Sequence, residues 1–241
     1  MPPASAHARR DGGVGGDGSG HGSGHGGGRN DRARVVLLAG PSGSGKSRLA
    51  ARLQQRRGWP IVRLDDFYRD EVDPALPLLT DLGIPDWDDP ASWDGPGAVA
   101  ALAALVDSGA ATMPVYDIGT SRAVGQRHLE ARRDALIVAE GIFAAELIEP
   151  LRNAGLLHSG WCVVHRHRFL TFGWRLARDL REHRKPPLIL VRRGWALLRA
   201  EPAVIARQQA LGARCATAPT IEKAVERAAP GGTRAGVGGF G

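Results

Sequence analysis

At 241 residues and 43% hydrophobic content, the chain suits one domain with a sizeable core and room for a lid or a tail. Its net charge of +7 permits contact with polyanions, but no Lys/Arg-dense block with interleaved aromatics occurs, so nucleic acid is not expected as the main partner. Two cysteines, Cys162 and Cys215, exclude a disulfide framework, and without an apolar leader or an 18-residue apolar run a cytoplasmic rather than a membrane protein is expected.

Residues 1–32 are Gly, His, Asp, Ser and Arg with almost no apolar side chain. They cannot bury enough surface to offset the entropy of ordering, so they read as a disordered tail in which His21 and His25 are solvated. One domain is expected over 33–229 and a second flexible tail over 230–241. The domain opens with Val35-Val36-Leu37-Leu38-Ala39, a β-branched apolar run that reads as a buried strand. Gly40-Pro41-Ser42-Gly43-Ser44-Gly45-Lys46-Ser47 follows and spells G-x-x-x-x-G-K-S. Good helix formers then run to about Arg57, with Gly58 as the stop. Strand, glycine loop and helix form the context in which this spelling cradles phosphates. Gly40, Ser42, Gly43, Ser44 and Gly45 would turn backbone N–H groups inward, and the helix N-terminus adds positive charge. Lys46 would reach the β- and γ-phosphates, and the Ser47 hydroxyl would ligate Mg²⁺. Only three of the 32 basic residues are lysines, at 46, 185 and 223. A chain that otherwise writes positive charge as Arg keeps a compact ammonium where a point charge beside phosphates is wanted.

Ile61-Val62-Arg63-Leu64 reads as a second strand that delivers Asp65, Asp66, Phe67 and Tyr68 to its carboxyl end, where ligands of parallel sheets sit. There an Asp is a candidate general base or metal partner. Residues 70–95 read as a long loop whose Trp residues argue for order, with Asp86 to Pro90 able to line a pocket. Asp94 caps a helix over Ala98–Val106 that ends near Gly109, and Thr112–Tyr116 is a short extended segment. Ala135–Ala139 is another buried strand; it ends in Glu140, where an acid can hold Mg²⁺ or its waters. A helix over Phe143–Asn153 and a strand over Trp161–Val164 follow. From Arg166 to Arg184 the pattern is helical and basic, with Arg175 and Arg178 on one face. With a phosphate loop upstream, this reads as a lid over about 166–190 whose guanidiniums close on the transferring group. A last helix is expected over Thr220–Ala228.

Gly40 to Ser47, Asp65-Asp66-Phe67-Tyr68, Trp87-Asp88-Asp89-Pro90 and Glu140-Gly141-Ile142 occur in this order, with Tyr116-Asp117 and Arg175 to Asp179 as weaker additions. In these pieces the chain resembles, over residues 34–185, the uridine kinase (uridine–cytidine kinase) branch of P-loop kinases, related to phosphoribulokinase and bacterial pantothenate kinase. The resemblance implies a three-layer α/β P-loop NTPase/kinase fold with a parallel sheet and an Arg-bearing helical lid. It also implies attack of a nucleoside 5′-hydroxyl on the γ-phosphate of ATP or GTP. Asp65 would be the base, close to Mg²⁺, with Ser47 and Glu140 completing the protein's share of the metal site. Asp88 would hold ribose hydroxyls, Tyr68 and Tyr116 would border the base, and Lys46, Arg175 and Arg178 would act on the phosphoryl group, Arg175 also touching substrate. Two departures bear on the acceptor. Ile118 stands where the family carries an aromatic, and no histidine lies between Asp117 and Arg122. The lid also differs, since His183-Arg184-Lys185-Pro186-Pro187 stands where an R-G-R-D stretch is usual. The acceptor is a small molecule, most simply uridine or cytidine, with pantothenate, a sugar phosphate or another alcohol as the rival. A non-catalytic ATP-binding regulator would need only the phosphate loop, so Asp65, Glu140 and the lid arginines together speak against it. A homo-oligomer stays open.

Overall fold

The computed structural model describes residue 32 and residues 34–80, 83–164 and 201–229. The expected tail at 230–241, all but the end of the tail at 1–32, and the lid at 166–190 with Arg175 and Arg178 lie outside these residues.

Five parallel strands form the centre, in the order β2 (Ile61–Arg63), β7 (Ile137–Glu140), β1 (Val35–Ala39), β8 (Leu157–Val163) and β9 (Arg214–Ala216). Strands buried on both faces must be apolar throughout rather than alternating, and every residue of β1 and β7 is buried. The two faces of β1 are nonetheless distinct. Val35, Leu37 and Ala39 pack with Leu102, Leu105, Ile148 and Leu151, side chains of α2 (Gly95–Ser108) and α3 (Ile148–Asn153). Val36 and Leu38 pack with Leu49, Leu53, Ile221 and Val225, from α1 (Lys46–Arg57) and the last helix Ala218–Ala228. Helix, sheet and helix make the three expected layers. On the second face, Glu222 of the last helix pairs with Arg52 and Arg56 of α1, each at 3.1 Å.

Local chemistry sets the ends. Gly58 closes α1 in the left-handed region at φ 68°, donating its N–H to the Gln54 carbonyl. Asp94 caps α2 through the Gly97 N–H, and Gly109 ends it at φ 80°. The stretch expected as one helix from Phe143 is a 3₁₀ turn over Ala144–Leu147 followed by α3. Pro150 has no N–H to carry an i→i−4 ladder back through this point. Within the long loop, β3 (Leu78–Leu79) and β4 (Ile84–Pro85) pair as a small antiparallel hairpin. The extended segment near Tyr116 is β5 (Ala110–Asp117), paired antiparallel with β6 (Arg122–Glu130) as a separate two-stranded sheet. Among the described residues no helix is long and apolar enough to cross a membrane.

One buried cation joins three distant segments. Arg34, 5% exposed, precedes β1. Its Nη1 donates to the carbonyls of Arg132 (2.7 Å), Arg133 (2.6 Å) and Ala135 (3.4 Å), and its Nη2 to that of Val106 (2.7 Å). The guanidinium thus closes the end of α2 and the turn before β7 with one side chain. Arg34→Met leaves these carbonyls without a donor and is expected to lower stability by about 3 kcal/mol, read by urea unfolding at constant m. A loss under about 1 kcal/mol would mean that water replaces the clamp.

Candidate functional site

The loop after β1 turns on glycines. Gly40, Gly43 and Gly45 have φ of 139°, 73° and 89°, a region closed to most side chains. A Cβ at Gly40 would lie 2.7 Å from the Val163 carbonyl oxygen, so the loop runs hard against the end of β8. Ser42 is exposed on the loop and Ser44 is buried beneath it. No acidic residue or side-chain cap occupies the first turn of α1, which leaves its N–H groups aimed into the loop's concavity. Lys46 is buried, and its Nζ donates to the carbonyls of Gly40 (2.8 Å) and Pro41 (3.1 Å).

Two carboxyl groups converge on this ammonium. Glu140 ends β7 opposite Leu38 of β1 and Arg63 of β2, is 7% exposed, and accepts the Ser47 hydroxyl at 3.0 Å. Asp65 stands on a 3₁₀ turn (Leu64–Phe67) that replaces the expected last residue of β2. Its Oδ1 accepts the Ile142 N–H at 3.3 Å. A Cβ on Gly141 would fall 2.8 Å from Leu64 Cβ and 2.9 Å from Asp65 Oδ1, so only glycine lets the two turns meet. Burial pushes both carboxyls above their ordinary range, and the nearby Lys46 charge opposes the shift in each. Asp65 raises Glu140 further, and Arg63 lowers both groups. This donor set fits an oxygen-ligated divalent cation: a hydroxyl and two carboxyls from three elements, which Mg²⁺ would complete with phosphate oxygens and water. Among the described residues no group of three His, Cys, Asp or Glu side chains could hold a metal by itself.

Beside Asp65 the loop contributes aromatic rings. Tyr68 lies 5.8 Å from Trp87, 5.8 Å from Tyr116 and 5.9 Å from Phe143, centroid to centroid. Burial holds its phenol well above the ordinary tyrosine value, and the charges of Asp65 and Asp88 add to this. Tyr68 bridges backbone to Trp93, whose Nε1 donates to the Leu64 carbonyl at 2.6 Å. Tyr116 is buried and its hydroxyl donates to the Arg69 carbonyl at 3.1 Å. Asp88 sits exposed at the loop tip, its N–H turned onto Asp86 Oδ1 at 3.1 Å. The structure therefore gathers Lys46, Ser47, Asp65 and Glu140 in one corner and places Tyr68, Tyr116 and Asp88 on its flank. Sequence reading overlooked Trp87 and Phe143 as ring partners and Arg63 as a charge on the corner.

No family model matches the chain. Over 159 residues it is 31% identical to a uridine kinase of Deinococcus deserti, covering 65% of this chain and 73% of that one. Over 158 residues it is 30% identical to a uridine kinase of Lactobacillus johnsonii, covering 64% and 71%. The fold is similar to that of a proposed fructose transport system kinase from Silicibacter sp. TM1040, with a TM-score of 0.51 at 19% identity over 76% of this chain and 87% of that one.

The raised carboxyl groups have a measurable consequence. Between the ordinary carboxylate range, about 4, and the raised folded values, the native state holds protons that the unfolded chain has released. Stability of the ligand-free protein should therefore fall as pH rises through this window. Glu140→Gln is expected to flatten that slope in urea unfolding across a pH series; an unchanged slope would remove Glu140 from the titrating groups.

Proposed function

Because the chain belongs to the uridine kinase family of P-loop kinases, we propose that it transfers the γ-phosphoryl group of ATP or GTP to a hydroxyl of a nucleoside, uridine or cytidine being the first choice. The observation that carries this reading is the convergence of Lys46, Ser47, Asp65 and Glu140 at the carboxyl ends of β1, β2 and β7. The loop N–H groups and the N-terminus of α1 bind the phosphates. Lys46 exchanges its two carbonyl partners for phosphate oxygens and bears on the β–γ bridge. Ser47 and Glu140, with Asp65 close by, would hold Mg²⁺, which supplies neutralisation of the charge on the transferring group. Asp65 accepts the proton of the attacking hydroxyl. Its half-buried position raises its basicity, and the Ile142 N–H fixes which oxygen faces outward. Asp88 binds ribose hydroxyls, Tyr68 and Tyr116 border the base, and Arg175 and Arg178 act on the phosphoryl group, the last two on resemblance alone. A cytoplasmic location, with Cys162 and Cys215 reduced, belongs to the same reading.

One observation favours a second acceptor class. Ile118, where the family carries an aromatic, is 67% exposed at the tip of the β5–β6 hairpin. A pocket without the aromatic and the histidine discriminates poorly among bases, because such specificity rests on paired polar groups. Pantothenate, a sugar phosphate or another small alcohol is then the acceptor.

ATP consumption against a panel of nucleosides, pantothenate and sugar phosphates separates these. Turnover with uridine or cytidine alone supports the first, turnover with another alcohol the second, and none at all a non-catalytic ATP binder. With whichever acceptor reacts, Asp65→Asn is expected to cut kcat by about 10² to 10⁴-fold while Mg·ATP affinity holds within about twofold. Undiminished turnover removes Asp65 from the role of base. Lys46→Ala should weaken triphosphate binding and turnover together, and unchanged affinity for ATP would sink the phosphate-loop assignment.

A further inference from the structure

Asp66 is the member of the Asp65-Asp66-Phe67-Tyr68 run that the phosphotransfer reading leaves unused. It is 4% exposed, and its carboxylate meets the β5–β6 hairpin. Its Oδ1 accepts the Tyr116 N–H at 3.4 Å, and its Oδ2 lies 3.7 Å from Nη2 of Arg127. Arg127 stands on β6 opposite Met113 of β5. Met113 is 1% exposed, so both side chains belong to the inward face of the hairpin. The Nε and Nη2 of Arg127 are buried and have no hydrogen-bond acceptor. Two buried donors of a guanidinium are costly to leave unmet, and the Asp66 carboxylate is the anion that offsets them through charge.

The hairpin shares no strand pairing with the five-stranded sheet; Ala111 and Met113 pack it into the core, and a few polar ties fix where it sits. Its tip is tied to the chain at Arg69–Glu71, where the Ala123 N–H meets Asp70 Oδ1 at 2.7 Å and the Glu71 N–H meets the Ser121 carbonyl at 3.0 Å. Its middle is tied through Asp66. Asp65 and Asp66 are consecutive on one 3₁₀ turn, so the residue that holds the hairpin moves with the candidate base.

We propose that Asp66 and Arg127 are a pair of positioning residues that set the separation between Asp65 and Tyr116, and thereby the seat of the acceptor hydroxyl. The inference rests on the phosphotransfer reading above. A reacting atom displaced by about 1 Å loses about 10²-fold in rate, so a soft anchor at this point is felt in catalysis although neither side chain touches the phosphoryl group.

Asp66→Asn keeps the size and removes the charge, and Arg127→Met keeps the stem and removes the guanidinium. Each is expected to lower kcat/KM for the acceptor by about 10 to 100-fold while KM for ATP stays within about twofold. The double variant should be no worse than the more severe single one, and Arg127→Lys should recover part of the loss. Amide exchange followed by mass spectrometry supplies a readout that needs no acceptor. Peptides of the hairpin should exchange about tenfold faster in either single variant, with β1 and β7 unchanged. If no compound of the panel is phosphorylated, the transfer reading falls and the exchange data alone decide whether the pair anchors the hairpin. Unchanged hairpin exchange in both single variants, effects that multiply in the double, or KM values for ATP and acceptor that rise together would each overturn the proposal.

Discussion

Everything at the candidate site follows from two carboxyl groups and one ammonium sharing a corner in which Lys46 and Glu140 are buried and Asp65 partly so. Burial raises the cost of ionising both Asp65 and Glu140, the Asp65 charge adds to it at Glu140, and Lys46 offsets only part of it. Adding the negative oxygens of a triphosphate to such a corner is unfavourable unless a divalent cation accompanies them. On the proposed reading, the corner would therefore take its ligand as a metal–phosphate pair. The rest of the fold serves to keep the three groups together. Parallel strands bring the ends of β1, β2 and β7 to one edge, Gly141 lets the Glu140 turn lie against Asp65, and the Val163 carbonyl backs the glycine loop.

Sequence reading reached β1 to the residue and the end of α1, though α1 begins at Lys46 rather than after Ser47; these boundaries are written in local chemistry: a β-branched run, three glycines that need positive φ, and a glycine stop. The caps of α2, Asp94 and Gly109, were legible in the same way, although the helix spans Gly95–Ser108 and not only Ala98–Val106. Other parts had no local signature. β6 is Arg-Ala-Val-Gly-Gln-Arg-His-Leu-Glu, mostly exposed, so no alternation of apolar and polar residues marks it as a strand. β9 has three residues and exists by pairing with β8. Arg34 looked like one more arginine; its four carbonyl partners lie at positions no periodicity connects.

The candidate residues divide in the same way. Lys46, Ser47, Asp65 and Glu140 stand at ends of apolar strands or inside a fixed spelling, which made them readable one by one. The acceptor flank is a packing product of two loops and a hairpin. Tyr68 and Tyr116 could be named from the sequence, but Phe143 joins them only because the turn after β7 folds over Asp65. Asp66 was read with Asp65 as facing the phosphates, but its carboxylate meets the hairpin instead, because its partner Arg127 lies on the strand that carried no signal.

The Arg34 clamp also bears on the order in which the chain assembles. Its bonds join residues 72 to 101 positions apart, so none of them can form until α2 and the turn before β7 have already met β1. Contacts of such separation come late, after loop closure has been overcome by other interactions. This implies that the guanidinium does little to start folding and much to delay its reversal: its weight falls on the rate at which the native protein opens. A nascent chain that has emerged only as far as the phosphate loop holds the arginine but none of its acceptors.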